Sequence, residues 1–157
     1  MGCQQMGAVT FPDAKVIAFI NQNVIPLRLP HDHKPLAEQF QIKWTPALVT
    51  LDTEGKEHHR SVGFLSPEEI IPSLLLGKAK IDFDHEDFAK AMLTLEDLVK
   101  DYPKSIAAPE AIFLRGVCGY KSTHKPKALK EIYEKLSKDY PESEWTKRAH
   151  PYRLIGQ

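Results

Sequence analysis

The spacing of apolar positions along the chain changes at about residue 78. Before this point apolar residues form short runs separated by proline, glycine and polar residues, as at 24–29 and 47–52. Short β-branched runs bounded by turn residues are typical of strands. Beyond residue 82 the apolar residues recur three and four positions apart, which is typical of amphipathic helices. The pattern therefore predicts an α/β region over 1–78 and an all-α region over 79–157.

The run that follows Pro46 predicts a strand over 47–52. Proline suits the entry of a strand, because its φ angle is fixed and it lacks the N–H that the middle of a ladder needs. An acidic turn containing Gly55 follows, and residues 58–64 are placed to return as an antiparallel partner. We therefore predict a β-hairpin with Thr45–Pro46 at its mouth.

Three further elements precede the hairpin. Residues 13–21 have one apolar face and predict a helix, with Asp13 at its N-terminus. Residues 24–29 predict a strand, and Pro26 restricts it to a strand start or an edge. Residues 35–40 predict a short helix.

A longer helix is predicted directly after the hairpin. Ser66, Pro67 and Glu69 have the order of a capping box with proline in the first turn. Pro72 predicts a kink, because it removes an internal hydrogen bond. Gly77 is expected to end this helix.

The C-terminal region contains an internal repeat. The sequence Lys-Asp-Tyr-Pro occurs at 100–103 and again 38 positions later. A fixed period of about 20–50 residues indicates stacked helical hairpins. Gly116 is expected to allow two helices to approach closely. The predicted helices are 84–101, 106–122, 126–139 and 143–150.

Composition and charge exclude several classes of function. The 21 basic residues balance the 21 acidic residues, so no net field favours nucleic acid or an anionic membrane. There is no glycine-rich phosphate loop and no nucleophile–histidine–acid order. The longest leucine run, 74–76, is far shorter than the roughly 20 residues that span a bilayer. With no signal peptide we expect a soluble chain, in the cytoplasm as written and in the periplasm if a longer precursor exists.

The cysteines and histidines give little evidence of a metal or cofactor site. Two cysteines are too few for a disulfide scaffold or a zinc ribbon, and Cys118 is expected to be a buried apolar residue of a helix. The sequence His31-Asp32-His33 could contribute metal ligands, but a site usually needs a third one, and we favour a solvated loop. No metal and no cofactor is predicted. The remaining histidines are expected at the surface: His58, His59, His85, His124 and His150.

Two motifs of the N-terminal region resemble a known family. Residues 10–16 read Thr-Phe-x-Asp-x-x-Val, and residues 36–46 read Leu-Ala-x-x-Phe-x-Ile-x-x-Thr-Pro. Both resemble the thioredoxin-like family, in particular its thiol:disulfide interchange domains, over about residues 3–77. The resemblance implies a three-layer α/β/α fold and a cis peptide bond before Pro46. Cys3 takes the place of the second cysteine of a CxxC pair, and the first cysteine and the first strands would precede Met1.

The C-terminal region has a resemblance of its own. Residues 102–116 contain the series Tyr-Pro-x-Ser followed by Ala-Pro-Glu-Ala-x-Phe-x-x-Gly. This series resembles tetratricopeptide-like repeats, in which a tyrosine packs in the corner between helices. Two such repeats are fewer than the three or so that a free-standing array needs. We therefore expect them to pack against the thioredoxin-like region.

The resemblances imply two alternative functions. In the first, Cys3 exchanges disulfides with a protein or peptide substrate, held in a groove formed by Trp44, Thr45 and Pro46. A lone cysteine of this kind cannot cycle through an intramolecular disulfide, so the chain by itself is expected to be inactive in turnover. In the second, the groove and the repeats form a non-catalytic binding scaffold. The gap between the strands at 24–29 and 47–52 also predicts a homodimer formed by strand exchange.

Overall fold

The structure is a computed structural model and describes residues 1–156. Within these residues the chain forms one β-hairpin and a succession of helices. The elements in chain order are α1 (Gly2–Gln5), continued by a π-helical segment (Met6–Thr10), α2 (Ala14–Asn23), α3 (Leu36–Gln39), β1 (Ala47–Leu51), β2 (Glu57–Val62), α4 (Pro67–Asp84), α5 (Phe88–Asp101), α6 (Ala107–Thr123), α7 (Lys127–Asp139), α8 (Glu144–Ala149) and a 3₁₀ helix (His150–Leu154).

The predicted hairpin is present and contains an irregularity that matters for the site. β1 and β2 are antiparallel, with Ala47 opposite Val62 and Thr50 opposite His59. Leu51 lies opposite Glu57, so His58 is an extra residue on β2. Such a bulge turns a side chain away from the regular alternation of the strand.

The strand predicted at 24–29 is wrong. α2 ends at Asn23, and residues 24–30 have no regular secondary structure. A strand needs a neighbour for its backbone groups, and β1 pairs with β2 alone in the sheet of the described residues. The side chain of Ile25 is 99% exposed as a result.

α4 is longer than predicted, and Gly77 does not end it. The helix continues through Pro72 and Gly77 and through residues 78–82, the segment expected to join the two regions. Gly77 lies instead where α4 meets β1, because a Cβ atom there would be 2.6 Å from the Thr50 hydroxyl oxygen. Glycine is needed at this position for close approach and not as a helix end.

The capping box predicted at the start of α4 is also wrong. The Ser66 side chain caps no backbone amide of the helix. A carboxylate oxygen of Glu69 accepts a hydrogen bond from the amide of Ile106 at 3.0 Å. Glu69 therefore reaches across to the start of α6 rather than back to its own helix.

Three groups of buried apolar side chains form the core, and α4 contributes to two of them. The first contains Met6, Val16, Ile70, Ile71 and Leu74. The second contains Leu76, Ala79, Ala91, Leu95, Leu98, Ala107, Ala108, Ala111 and Cys118. The third contains Ile112, Ile132, Leu136 and Ala149. Because one helix is shared, the N-terminal region and the helical region pack on each other continuously.

The helical repeat forms as predicted, with one shifted boundary. α5 begins at Phe88 rather than at residue 84, since α4 continues to Asp84. The Tyr140 hydroxyl donates a hydrogen bond to the Pro103 carbonyl oxygen at 2.5 Å, which joins the corner of one repeat to that of the other. Across residues 1–156, no helix combines the length and apolar character required to cross a bilayer.

Candidate functional site

The N-terminal helix brings Gly2, the residue before Cys3, against Pro46. Gly2 packs on the proline ring, since a Cβ atom at Gly2 would be 2.7 Å from Pro46 Cδ. The Thr45–Pro46 peptide bond is cis. The buried Thr10 hydroxyl donates a hydrogen bond to the Leu65 carbonyl oxygen at 2.5 Å, which ties the end of this helical segment to the residues before α4.

A shallow groove begins next to Pro46. It has a volume of about 230 Å³ and is lined by His31, Ile42, Lys43, Trp44 and Thr45. The side chain of Trp44 is 72% exposed. Trp44 and Thr45, two of the residues that the sequence singled out, line this groove, and Pro46 follows them in the chain.

The two thiols have different surroundings. Cys3 is exposed in the first turn of α1, and Cys118 is buried in α6. Burial raises the pKa of Cys118 to about 11. Of the two thiols, Cys3 is therefore the one that is accessible from solution.

A second group of polar side chains lies between the hairpin and the end of α4. The His58 ring is fully buried, so the expectation that it lies at the surface is wrong. Its Nε2 atom is 2.8 Å from Asp52 Oδ2, and its Nδ1 atom is 2.5 Å from Asp84 Oδ2. Nε2 of His85 lies 3.6 Å from the same Asp52 oxygen.

Hydrogen bonds control the charge of this group. The hydrogen bond from His58, followed by that from the Lys56 amide, lowers the pKa of Asp52 to about 2. Burial disfavours the charged form of His58, but its hydrogen bonds to Asp52 and Asp84 outweigh this effect and raise its pKa. Asp52 is therefore a carboxylate at any ordinary pH.

The neighbouring His59 is also more buried than expected. Its Nε2 atom is 3.3 Å from the Ser73 hydroxyl and its Nδ1 atom is 3.2 Å from Lys80 Nζ. Burial, and then the charge of Lys80, lower the pKa of His59 to about 4. His59 is thus neutral near pH 7 and faces α4.

The sequence offered little sign of the group around His58. Asp52 and His58 are six positions apart across a turn, a spacing typical of no known ligand motif, and Asp84 is 26 positions further along the chain. Within residues 1–156, the histidine pair that the sequence did suggest, at 31 and 33, gains no third ligand. Among the described residues, the ligand atoms gathered within 4.8 Å of one another come from Asp52, His58 and His85.

Two family models match this chain, and their order along the sequence agrees with the order of the two regions of the fold. Residues 1–77 match the family model of a thioredoxin-like domain. The N-terminal region is a thioredoxin-like domain. Residues 74–105 match the model of a tetratricopeptide repeat, so the two matches meet within α4. No curated protein and no solved structure matches the chain.

These findings confirm the predicted fold class, and they support the coarser part of the predicted function. The chain combines a thioredoxin-like domain with a repeat of a type used for protein–protein interaction. The repeat therefore suggests protein–protein interaction.

Proposed function

We propose that this chain exchanges disulfides with protein or peptide substrates through Cys3, with Trp44, Thr45 and Pro46 forming the substrate-binding surface. The observation that supports it best is the packing of Gly2 on Pro46, because Gly2 directly precedes the exposed Cys3. We also propose that residues 1–78 provide the exchange surface and residues 79–157 a surface for protein partners.

The proposed reaction is a single exchange step. The Cys3 thiolate attacks one sulfur of a substrate disulfide, and the substrate S–S bond breaks. A new S–S bond joins Cys3 to that sulfur, and the other substrate sulfur leaves as a thiolate. Cys3 is oxidised as the leaving sulfur is reduced, so no further oxidant is needed. A second thiol from the substrate or from solution then releases Cys3.

The groove would hold the substrate backbone next to Cys3. An extended peptide can lie along an exposed segment of backbone such as 44–46 and place a side chain against the Trp44 ring. Aromatic side chains often supply a large share of the binding energy at such surfaces. Trp44 would therefore affect the reaction of peptide substrates and not that of small disulfides.

Intact-mass analysis after incubation with a disulfide-linked peptide tests the exchange step. We expect a mixed disulfide on the wild-type chain and on Cys118→Ser, and none on Cys3→Ser. Trp44→Ala should slow the peptide reaction roughly tenfold, equivalent to about 1.4 kcal/mol, and leave the rate with cystamine unchanged. An adduct that persists in Cys3→Ser would contradict the assignment.

The second candidate function is a non-catalytic binding module, which the 72% exposure of Trp44 also supports. In this case the groove binds an extended peptide that has no disulfide. Titration of a panel of cysteine-free peptides, followed by nuclear magnetic resonance of the indole N–H of Trp44, tests it. Saturable shifts, together with no adduct at Cys3, would favour binding over exchange.

A further inference from the structure

We propose that Asp52, His58 and His85 form a binding site for a divalent transition-metal ion such as Zn²⁺. The site lies where the turn of the hairpin meets the C-terminal end of α4. It shares no residue with the groove lined by Trp44 and Thr45, and it rests on side-chain geometry that does not depend on exchange chemistry.

The ligand atoms are close enough to share one ion. Zinc binds imidazole nitrogen and carboxylate oxygen at about 2.0–2.2 Å, so two ligand atoms of a tetrahedral ion are about 3.3 Å apart. Asp52 Oδ2 lies 2.8 Å from His58 Nε2 and 3.6 Å from His85 Nε2, which are values on either side of this spacing. All three ligand atoms lie within 4.8 Å of one another.

Other groups orient the two ligands from the hairpin. Asp84 Oδ2 lies 2.5 Å from His58 Nδ1, the ring nitrogen that faces away from Asp52. A carboxylate in this position holds the proton of Nδ1, as the outer partners of metal-binding histidines do. Nε2 is hydrogen-bonded to Asp52, so a bound ion would replace the proton shared between them, and binding would release that proton. The second carboxylate oxygen of Asp52 accepts the amides of Glu54 and Lys56, both at 2.9 Å, which fixes the plane of the carboxylate.

The bulge in β2 explains how His58 reaches the site. His58 is the extra residue of that strand and has no partner on β1. A bulge re-aims a side chain, and here the ring turns inward between two carboxylates. His85 follows the last residue of α4, and its side chain is 56% exposed, so the site has a buried side and an open side.

The donor set selects the class of ion. Two imidazoles and one carboxylate suit Zn²⁺, Co²⁺ or Ni²⁺ better than Mg²⁺ or Ca²⁺, which prefer oxygen ligands. Three protein ligands leave a fourth position for water on the exposed side. Because the ligands come from the hairpin and from α4, a bound ion would tie the thioredoxin-like domain to the helix that continues into the repeat.

Binding of metal to the untagged full-length chain tests this proposal. After treatment with chelator, the protein is titrated with Zn²⁺ in a calorimeter and with Co²⁺ in a spectrophotometer. We expect one equivalent of Zn²⁺, visible absorption typical of four- or five-coordinate Co²⁺, and a higher melting temperature in the presence of Zn²⁺. His85→Ala should fold, because the side chain that it removes is about half exposed. Circular dichroism can verify this.

Three variants test whether Zn²⁺ binds at this site or at other side chains of the chain. His85→Ala should weaken Zn²⁺ affinity at least tenfold and remove the stabilisation by Zn²⁺. Asp84→Asn should weaken affinity by about 10- to 100-fold through the orientation of His58. The His31→Ala, His33→Ala double variant should bind as the wild type does. The proposal is overturned if no saturable binding is seen, if His85→Ala binds normally, or if the loop variant loses binding.

Discussion

Gly116 of α6 lies directly against the side chain of Ile132 in α7. A Cβ atom at position 116 would be 2.0 Å from Ile132 Cγ1 and 2.5 Å from its Cδ1. The carbonyl oxygen of Ala128 would be 3.2 Å away. Since Ile132 is buried, the two helices have no free space into which a methyl group could move.

Gly116→Ala should therefore destabilise the helical region. Alanine stabilises a helix by about 1 kcal/mol relative to glycine. Inserting a methyl group into a filled interface typically costs about 1–3 kcal/mol, and the 2.0 Å distance to Ile132 Cγ1 makes the overlap at this position severe. We expect a net fall of about 1–2 kcal/mol in the free energy of unfolding, measured by urea denaturation.

Gly119 supplies a matched control on the same helix. A Cβ atom there would be 3.5 Å from the Ala128 Cβ atom, which is an ordinary contact. Gly119→Ala should leave stability unchanged or raise it by up to about 1 kcal/mol. Equal losses in the two variants would show that the Gly116–Ile132 contact does not set the spacing of α6 and α7.

The contact of Gly77 with Thr50 gives a second prediction, on the packing of α4 against the hairpin. A methyl group at Gly77 would meet three atoms of Thr50 at 2.6–2.9 Å. Gly77→Ala should lower the free energy of unfolding by about 1–3 kcal/mol. Thr50→Ala removes two of the three atoms, so the double variant should recover part of this loss.

Urea denaturation of the two single variants and the double variant measures the coupling between these positions. Recovery should be partial, because the Cβ atom of residue 50 would remain 2.9 Å from the new methyl group. Strictly additive losses would mean that Gly77 is needed for some reason other than its distance from Thr50.

Local sequence patterns predicted the hairpin and the repeat because the forces that form them are local. The apolar run after Pro46 and the turn after Asp52 define β1 and β2 within 16 residues. The helices of the repeat are defined by their own apolar faces. Gly116 was also predicted to allow close approach, on the resemblance of residues 102–116 to tetratricopeptide-like repeats.

The errors come from contacts between residues that are distant in sequence. Residues 24–29 have the composition of a strand, but no neighbouring strand pairs with them in the part of the chain that the structure describes. Gly77 looks like a helix end until Thr50 is placed against it. His58 has the sequence context of a surface residue, but Asp84, from another element, is hydrogen-bonded to its ring. Composition cannot show such partners.

The contact between Glu69 and the amide of Ile106 gives a third prediction. The carboxylate of Glu69 satisfies a backbone donor at the start of α6, as an N-cap side chain would, although it comes from a helix 37 positions earlier. Glu69→Ala should lower the free energy of unfolding by about 0.5–2 kcal/mol.

Glu69→Gln is the matched control, because its amide oxygen can still accept the Ile106 N–H. Thermal denaturation should place Glu69→Gln between the wild type and Glu69→Ala. If both variants have the melting temperature of the wild type, water accepts the hydrogen bond of the Ile106 N–H equally well. The contact with Glu69 then has no effect on stability.

Cys118 gives the last prediction, on stability at alkaline pH. Burial raises its pKa from 9.0 to about 11 in the folded chain. Between these values the unfolded chain has released the thiol proton and the folded chain has kept it. Stability that is present below pH 9 is therefore lost as the pH rises towards 11. The raised pKa values of Tyr102 and Tyr140, both caused mainly by burial, act in the same direction.

The free energy of unfolding should therefore fall between pH 9 and pH 11, and it should fall less steeply in Cys118→Ala than in the wild type. Cys3→Ala is the control and should keep the full slope, since Cys3 is exposed. Under native conditions Ellman's reagent should modify Cys3 rapidly and Cys118 only after unfolding. Equal slopes in all three proteins, or rapid labelling of Cys118 in the native state, would show that α6 opens and admits solvent to the thiol.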